Sequence, residues 1–194
     1  MQKRMTRTVR VQPRPGRFSN ATLGLAAVIL VELLFFVSLF FGYLYLKEGD
    51  RIWLPAGLSL PDRTIATLNV GLLLAGCVTH AYASWAISRD RRNGLWWGLV
   101  LTFLLGFAFM MGQVFEFSRL GFSPSDGAYG SNFYMLRMAH GLHVLGGMVL
   151  QLVVLYRAHL GQFNTRRHLL VTASALYWYF VALLWIPLYF MLYF

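Results

Sequence analysis

Cysteine is almost missing from this chain: Cys77 stands alone among 194 residues, which excludes a disulfide, a CxxC pair and a thiolate metal cage. Carboxylates are scarce as well, seven against seventeen Lys and Arg, and five of them (Glu48, Asp50, Asp62, Asp90 and Asp126) fall in connecting segments. Only Glu32 and Glu116 sit inside long apolar runs. Histidine occurs five times, with His80, His140 and His143 well inside such runs. A metal site on the i, i+3 pair of His140 and His143 needs further ligands at the same depth, and His80 lies toward the other end of its helix. The expected metal content of this chain is therefore none. Internal repeats and polar stretches long enough for a soluble domain are also lacking.

What the chain has in excess is hydrocarbon. Apolar residues make up 58% of it and the mean hydropathy is +0.56, which places it in the helical membrane class. Five runs, 21–46, 65–87, 94–117, 133–156 and 169–194, each exceed the roughly 20 residues needed to cross a core about 30 Å thick. The sequence predicts an all-α membrane protein, a single five-helix transmembrane domain over 21–194 behind a basic tail, 1–20. That tail has no apolar core and no small-residue cleavage site, so it does not read as a signal peptide. It reads as a disordered orienting arm, with contact to anionic lipid as the alternative.

Charge sets the expected orientation. Twelve Lys and Arg lie in the tail and in the second and fourth connections, against four in the first and third, so the N-terminus is expected in the cytoplasm and the C-terminus outside. The net charge of +10 is thus spent on topology, and nucleic acid is not an expected partner.

Depth and helical spacing select the polar residues that can meet. Steps of three and four put Arg137, His140, His143, Gly147 and Gln151 on one stripe of the fourth helix, and Gln113 with Glu116 on one face of the third. Glu116 is in reach of Arg137 or His140 near the outer ends of their helices, within about two turns, with Arg137 the expected partner. Glu32 lies near mid-bilayer with no Lys or Arg at its depth, so it is expected to be a neutral, hydrogen-bonded acid close to His143. Glu32 is the candidate functional carboxylate. Gln113, Glu116, Arg137, His140 and His143 form the candidate structural network, and Trp178 and Trp185 in the aromatic last helix are candidates for lipid or subunit contact.

Those same residues carry a resemblance. Gln113 to Glu116 reads Q-V-F-E, Ser125 to Tyr134 reads S-D-G-A-Y-G-S-N-F-Y, and Ala139 to Gly147 reads A-H-G-L-H-V-L-G-G. In order and spacing these are similar to the signatures of subunit III of the haem-copper terminal oxidases. V-E-L-L-F-F around Glu32, L-N at Leu68 and Asn69, and Y-W-x-F-V-x-x-x-W from Tyr177 to Trp185 extend the likeness over nearly the whole chain from the first helix onward. Five helices resemble the short bacterial form, which lacks two N-terminal helices of the seven-helix form.

The resemblance implies a non-redox accessory subunit of a proton-pumping cytochrome c oxidase in a bacterial plasma membrane. It would pack against subunits I and II, alone or within a larger respiratory supercomplex, and support proton uptake and sustained turnover. Haem and copper are expected in the partner subunits and none here, with bound phospholipid as a candidate ligand. Tyr179 stands where the family usually has His, Ala182 where it has Asp, Val31 where it has Ser, and Arg137 where it has a small or neutral residue. No role tied to the missing His and Asp carries over. A subunit III of a quinol oxidase, or a nitric-oxide-reductase homologue, is the alternative within the superfamily. The S-D-G-x-Y-G-S stretch and Glu at position 32 favour the cytochrome c type. A small proton-coupled transporter would also bury an acid beside a His pair, but it should show a repeat or broken helices at the midplane.

Overall fold

The computed structural model describes residues 20–50, 53–54, 61 and 63–194. It is built of five helices: α1 (Asn20–Gly49), α2 (Arg63–Ser88), α3 (Arg92–Phe117), α4 (Gly127–His159) and α5 (Leu169–Tyr193). All five are long and apolar enough to cross a membrane. Helix is the form such segments must take, because hydrocarbon offers no water to unpaired backbone N–H and C=O groups. Most of the expected basic tail lies outside the described residues, as does most of the first connection.

Small residues decide which helices touch closely. A Cβ added at Gly98 on α3 would come within 3.0 Å of the Ala83 backbone on α2, and one at Gly94 within 2.8 Å of the Ala86 Cβ. The α2 and α3 backbones are therefore in near contact along these turns. Gly76 on α2 and Gly106 on α3 open a slot for the Trp178 indole of α5, whose ring atoms lie 2.9 Å and 2.6 Å from where their Cβ atoms would be. Helices α2, α3, α4 and α5 close a ring of neighbours, and α1 lies outside it against α4 and α5. Among the described residues of α1, the buried side chains are Phe36 and Tyr43.

Helix α4 begins at Gly127, six residues before the expected start. The turn before it is tied by the Ser123 N–H donating to Asp126 Oδ2 at 2.6 Å, and Gly127 takes a positive φ of 83°. With this start Arg137 lies about 15 Å along the helix at 1.5 Å per residue, nearer three turns than the two expected. The 33 residues of α4 exceed what the bilayer core needs, so its ends stand clear of the hydrocarbon.

Two tyrosines tie the last turn of α5, where backbone carbonyls have no partner further along the helix. Tyr43 of α1 donates its hydroxyl to Met191 O at 2.5 Å, and Tyr129 of α4 donates to Leu192 O at 3.0 Å. Trp53, from the first connection, packs edge-on against both rings at 5.0 and 5.9 Å. Tyr43→Phe is expected to keep the packing and lose the bond, lowering stability by about 0.5–1.5 kcal/mol. Thermal denaturation of the detergent-solubilised protein would read this, and an unchanged transition would mean that the tie does not hold α1 to α5.

Candidate polar core and family

Two polar centres lie within the bundle. The first joins α3, α4 and α5. Arg137, with a fully buried side chain, places Nη1 2.9 Å from Glu116 Oε1 and donates from Nη2 to Glu116 Oε2 at 3.0 Å. It also donates from Nε to Gln113 Oε1 at 2.9 Å and from Nη1 to the Tyr193 hydroxyl at 2.7 Å. Tyr193 passes its own proton to Glu116 in a short hydrogen bond. The guanidinium is boxed by the Phe117 and Phe133 rings at 4.6 and 5.1 Å, which favours a cation electrostatically. A buried charge needs a counter-charge and filled hydrogen-bond positions, and this arrangement supplies both.

The second centre joins α1 to α4. His143 Nε2 lies 2.7 Å from Glu32 Oε2, and His143 Nδ1 lies 2.6 Å from Ala139 O. A carbonyl only accepts, so Nδ1 carries a proton and donates it. Nε2 then either accepts from a Glu32 carboxyl or, in an imidazolium, donates to a carboxylate. In both forms one proton sits between the two residues and the pair is neutral as a whole. Phe36 lies edge-on to the His143 ring at 4.8 Å and Phe35 stacks at 5.8 Å. Yet the side chains remain 17% and 30% exposed in His143 and Glu32, so this ionisable pair is partly open.

His140 serves neither centre. Its Nε2–H donates to Val181 O at 3.0 Å within a cage of Phe36, Phe109 and Trp185 rings. His80, nearer the other end, has Nε2 3.2 Å from Ser174 Oγ. Its ring meets Tyr179 edge-on at 6.3 Å. Among the described residues no three His, Cys, Asp or Glu side chains gather in a metal-binding group. Ala182, at another of the divergent positions, is buried in the core.

Trp178 and Trp185 correct the expectation of lipid or subunit contact. Both are inside the bundle, 2% and 1% exposed, because the glycines of α2 and α3 admit one ring and Phe109 and His140 pack the other. Aromatic side chains that do face outward include Phe41, Tyr45, Trp97, Tyr156 and Phe190. Tyr193 and Tyr43 are the residues that sequence reading missed. Their positions look like ordinary aromatics of a membrane-interface belt, and the only available signal was a hydroxyl near helix ends that need one.

A five-helix bundle held by internal ion-pair and acid–histidine contacts defines a multi-pass integral membrane protein. The comparisons with known proteins agree with that class and narrow it. The family model described as "Cytochrome c oxidase subunit III" matches residues 17–194. The chain is 36% identical over 176 residues to "Cytochrome c oxidase subunit 3" of Drosophila yakuba, covering 88% of this chain and 67% of that protein. It is 33% identical over 172 residues to the protein of the same name from Thermostichus vulcanus, covering 88% and 85%. It is also 33% identical over 176 residues to that of Mus musculus, covering 88% and 67%. The chain belongs to the cytochrome c oxidase subunit III family. It is thereby an accessory subunit of a haem-copper oxidase, one part of an oxidoreductase complex of the respiratory chain that contains other subunits.

Proposed function

We propose that this chain is a non-catalytic subunit that docks on the catalytic subunit I beside subunit II of a proton-pumping cytochrome c oxidase in a bacterial plasma membrane. Its N-terminus faces the cytoplasm, in keeping with the twelve basic residues on that side against four. The observation that carries the docking is the Glu32 and His143 pair. A hydrogen-bonded acid and imidazole at mid-depth, 30% and 17% exposed in the chain alone, is poorly matched to acyl chains and well matched to a neighbouring protein helix. Glu32 is the functional carboxylate of that face. Its proton lies at the seam with subunit I, where it can support proton uptake, and the bundle behind it sustains turnover by holding that seam rigid.

The non-catalytic reading rests on how the three membrane-embedded histidines are used. His80 is engaged by Ser174, His140 by the Val181 carbonyl and His143 by Glu32, so no two of them converge on one site as a histidine-held copper centre requires. Haem and copper accordingly belong to the partner subunits. The test is a comparison of oxidase purified with and without this chain. The complex lacking it is expected to keep its haem and copper and its initial rate, and to lose activity faster during turnover. The isolated chain is expected to show no visible haem spectrum. A stoichiometric haem or copper signal from the isolated chain, or loss of metal from the complex lacking it, would overturn the reading.

A further inference from the structure

The turn between α2 and α3 is densely charged, with Arg89, Asp90, Arg91 and Arg92 in succession. Helix α2 ends with Arg91 N–H donating to Ala86 O at 2.9 Å and Asp90 N–H to Ile87 O at 3.0 Å, the paired bonds of a Schellman cap. Asp90 takes the left-handed position, φ 57°, where glycine is the unstrained choice. A carboxylate there faces the negative end of the α2 dipole, but the first turn of α3, which begins two residues on at Arg92, favours it. What argues against Asp90 is its backbone conformation, for which glycine is the better fit. Asp90 lines a pocket of about 500 Å³ together with Tyr82, Arg91, Arg92, Asn93 and Gly94. The two ion pairs formed among the described residues lie elsewhere, so no ion pair within those residues neutralises Asp90, Arg91 or Arg92.

The pocket stands at headgroup depth. Trp85 beside it is 40% exposed and carries the Arg89 and Arg91 guanidinia over its ring at 4.5 and 5.3 Å. The Tyr82 ring is 5.8 Å from that of Trp85, and outward-facing Trp97 lies in the second turn of α3. Such aromatics settle where hydrocarbon meets water. Toward the membrane centre, exposed Val78 on α2 and Leu101 on α3 offer apolar tracks for acyl chains.

We propose that this pocket binds the headgroup of an aminophospholipid of the phosphatidylethanolamine class, its phosphate on Arg91 and Arg92 and its primary ammonium on Asp90. Guanidinium groups match phosphate oxygens with directed, charge-assisted bonds, and basic pockets between membrane helices are a recurring setting for lipid headgroups. The carboxylate decides the class. A purely anionic headgroup would meet Asp90 as a like charge, and a quaternary ammonium has no N–H to give it. A primary ammonium satisfies it.

The test uses the assembled oxidase in nanodiscs of equal phosphatidylethanolamine, phosphatidylglycerol and phosphatidylcholine, with lipids that survive detergent exchange counted by mass spectrometry. The wild type is expected to retain phosphatidylethanolamine over the other two, and the Arg91→Gln/Arg92→Gln variant to lose that retention by about tenfold, one ordinary charge-assisted contact. Asp90→Asn is expected to hold a lipid still but to move its preference toward phosphatidylglycerol. Arg119→Gln, at the other end of the bundle, should change nothing. Excess inorganic phosphate should leave the lipid bound; displacement by phosphate alone would make the site a free-anion site and overturn the assignment. Unchanged retention in the double variant, or an unchanged preference in Asp90→Asn, would overturn it as well. If the glutamine variant fails to assemble, Arg91→Lys/Arg92→Lys keeps the orienting charge and is expected to assemble with weakened retention; full retention there would refute the directed contacts.

Discussion

Glu116→Ala is expected to be the most damaging single substitution in the chain, costing about 3–5 kcal/mol because it strands a buried guanidinium. Arg137 would keep Gln113 and Tyr193 as hydrogen-bond partners but lose its only counter-charge. Tyr193 would lose its acceptor at the same time. The Phe117, Phe133 and Trp185 rings around the guanidinium offer it no replacement anion. Arg137→Met alone should be similarly harmful, leaving a carboxylate and a glutamine oxygen without their donor. The double variant should lose clearly less than the sum, with a coupling of about 1–3 kcal/mol. Thermal denaturation of the four proteins of the cycle in detergent measures this. Additive losses would mean that the two charges stabilise the protein independently, and the account of the cluster as one unit would fail.

The parts of this architecture that were legible in the sequence are those fixed by hydrocarbon. Five apolar runs leave a bilayer-embedded chain no alternative to five helices, and α2, α3 and α5 begin and end within two residues of the expected bounds. The start of α4 was misplaced because residues 127–132, apart from Tyr129, are small or polar and do not read as membrane helix; they are helical outside the hydrocarbon, where composition no longer constrains them. Depth matching brought Glu116 to Arg137 and Glu32 to His143, because in a bundle a charged group can be satisfied only by what lies at its own level. Polar stripes made the inward faces of α3 and α4 legible, but rotation about the axis of α5 was not. That is why Trp178 and Trp185 were assigned to the surface: α5 is apolar on every side, so no polar stripe marks which face looks inward. The glycines at 76 and 106 that receive the Trp178 ring lie on other helices, and a single sequence does not say which helix they face. Tyr193 was hidden for the same reason, its role visible only once α3, α4 and α5 converge around Arg137.

For the Glu32 and His143 pair, the expected result is a difference between two substitutions at one position. Glu32→Ala removes the only partner of His143 Nε2 while the Ala139 carbonyl continues to fix the ring, so an imidazole nitrogen is left unpaired at mid-depth. An orphaned polar group of this kind costs about 1–3 kcal/mol. Glu32→Gln keeps the shape and offers an amide N–H to that nitrogen, and is expected to fall within about 1 kcal/mol of the wild type. Glutamine cannot share a titratable proton, however. Assembly with the partner subunits should therefore survive Glu32→Gln and weaken in Glu32→Ala, while any contribution of the pair to proton uptake should be lost in both. The first is read from the yield and melting of the purified complex, the second from proton uptake during turnover. Infrared difference spectra of wild type against Glu32→Gln supply the remaining link, since the pair must present either a carboxyl beside a neutral imidazole or a carboxylate beside an imidazolium. A carboxylate facing a neutral imidazole would contradict the single-proton bond, and equal behaviour of the Ala and Gln variants in assembly would remove the pair from the seam with subunit I.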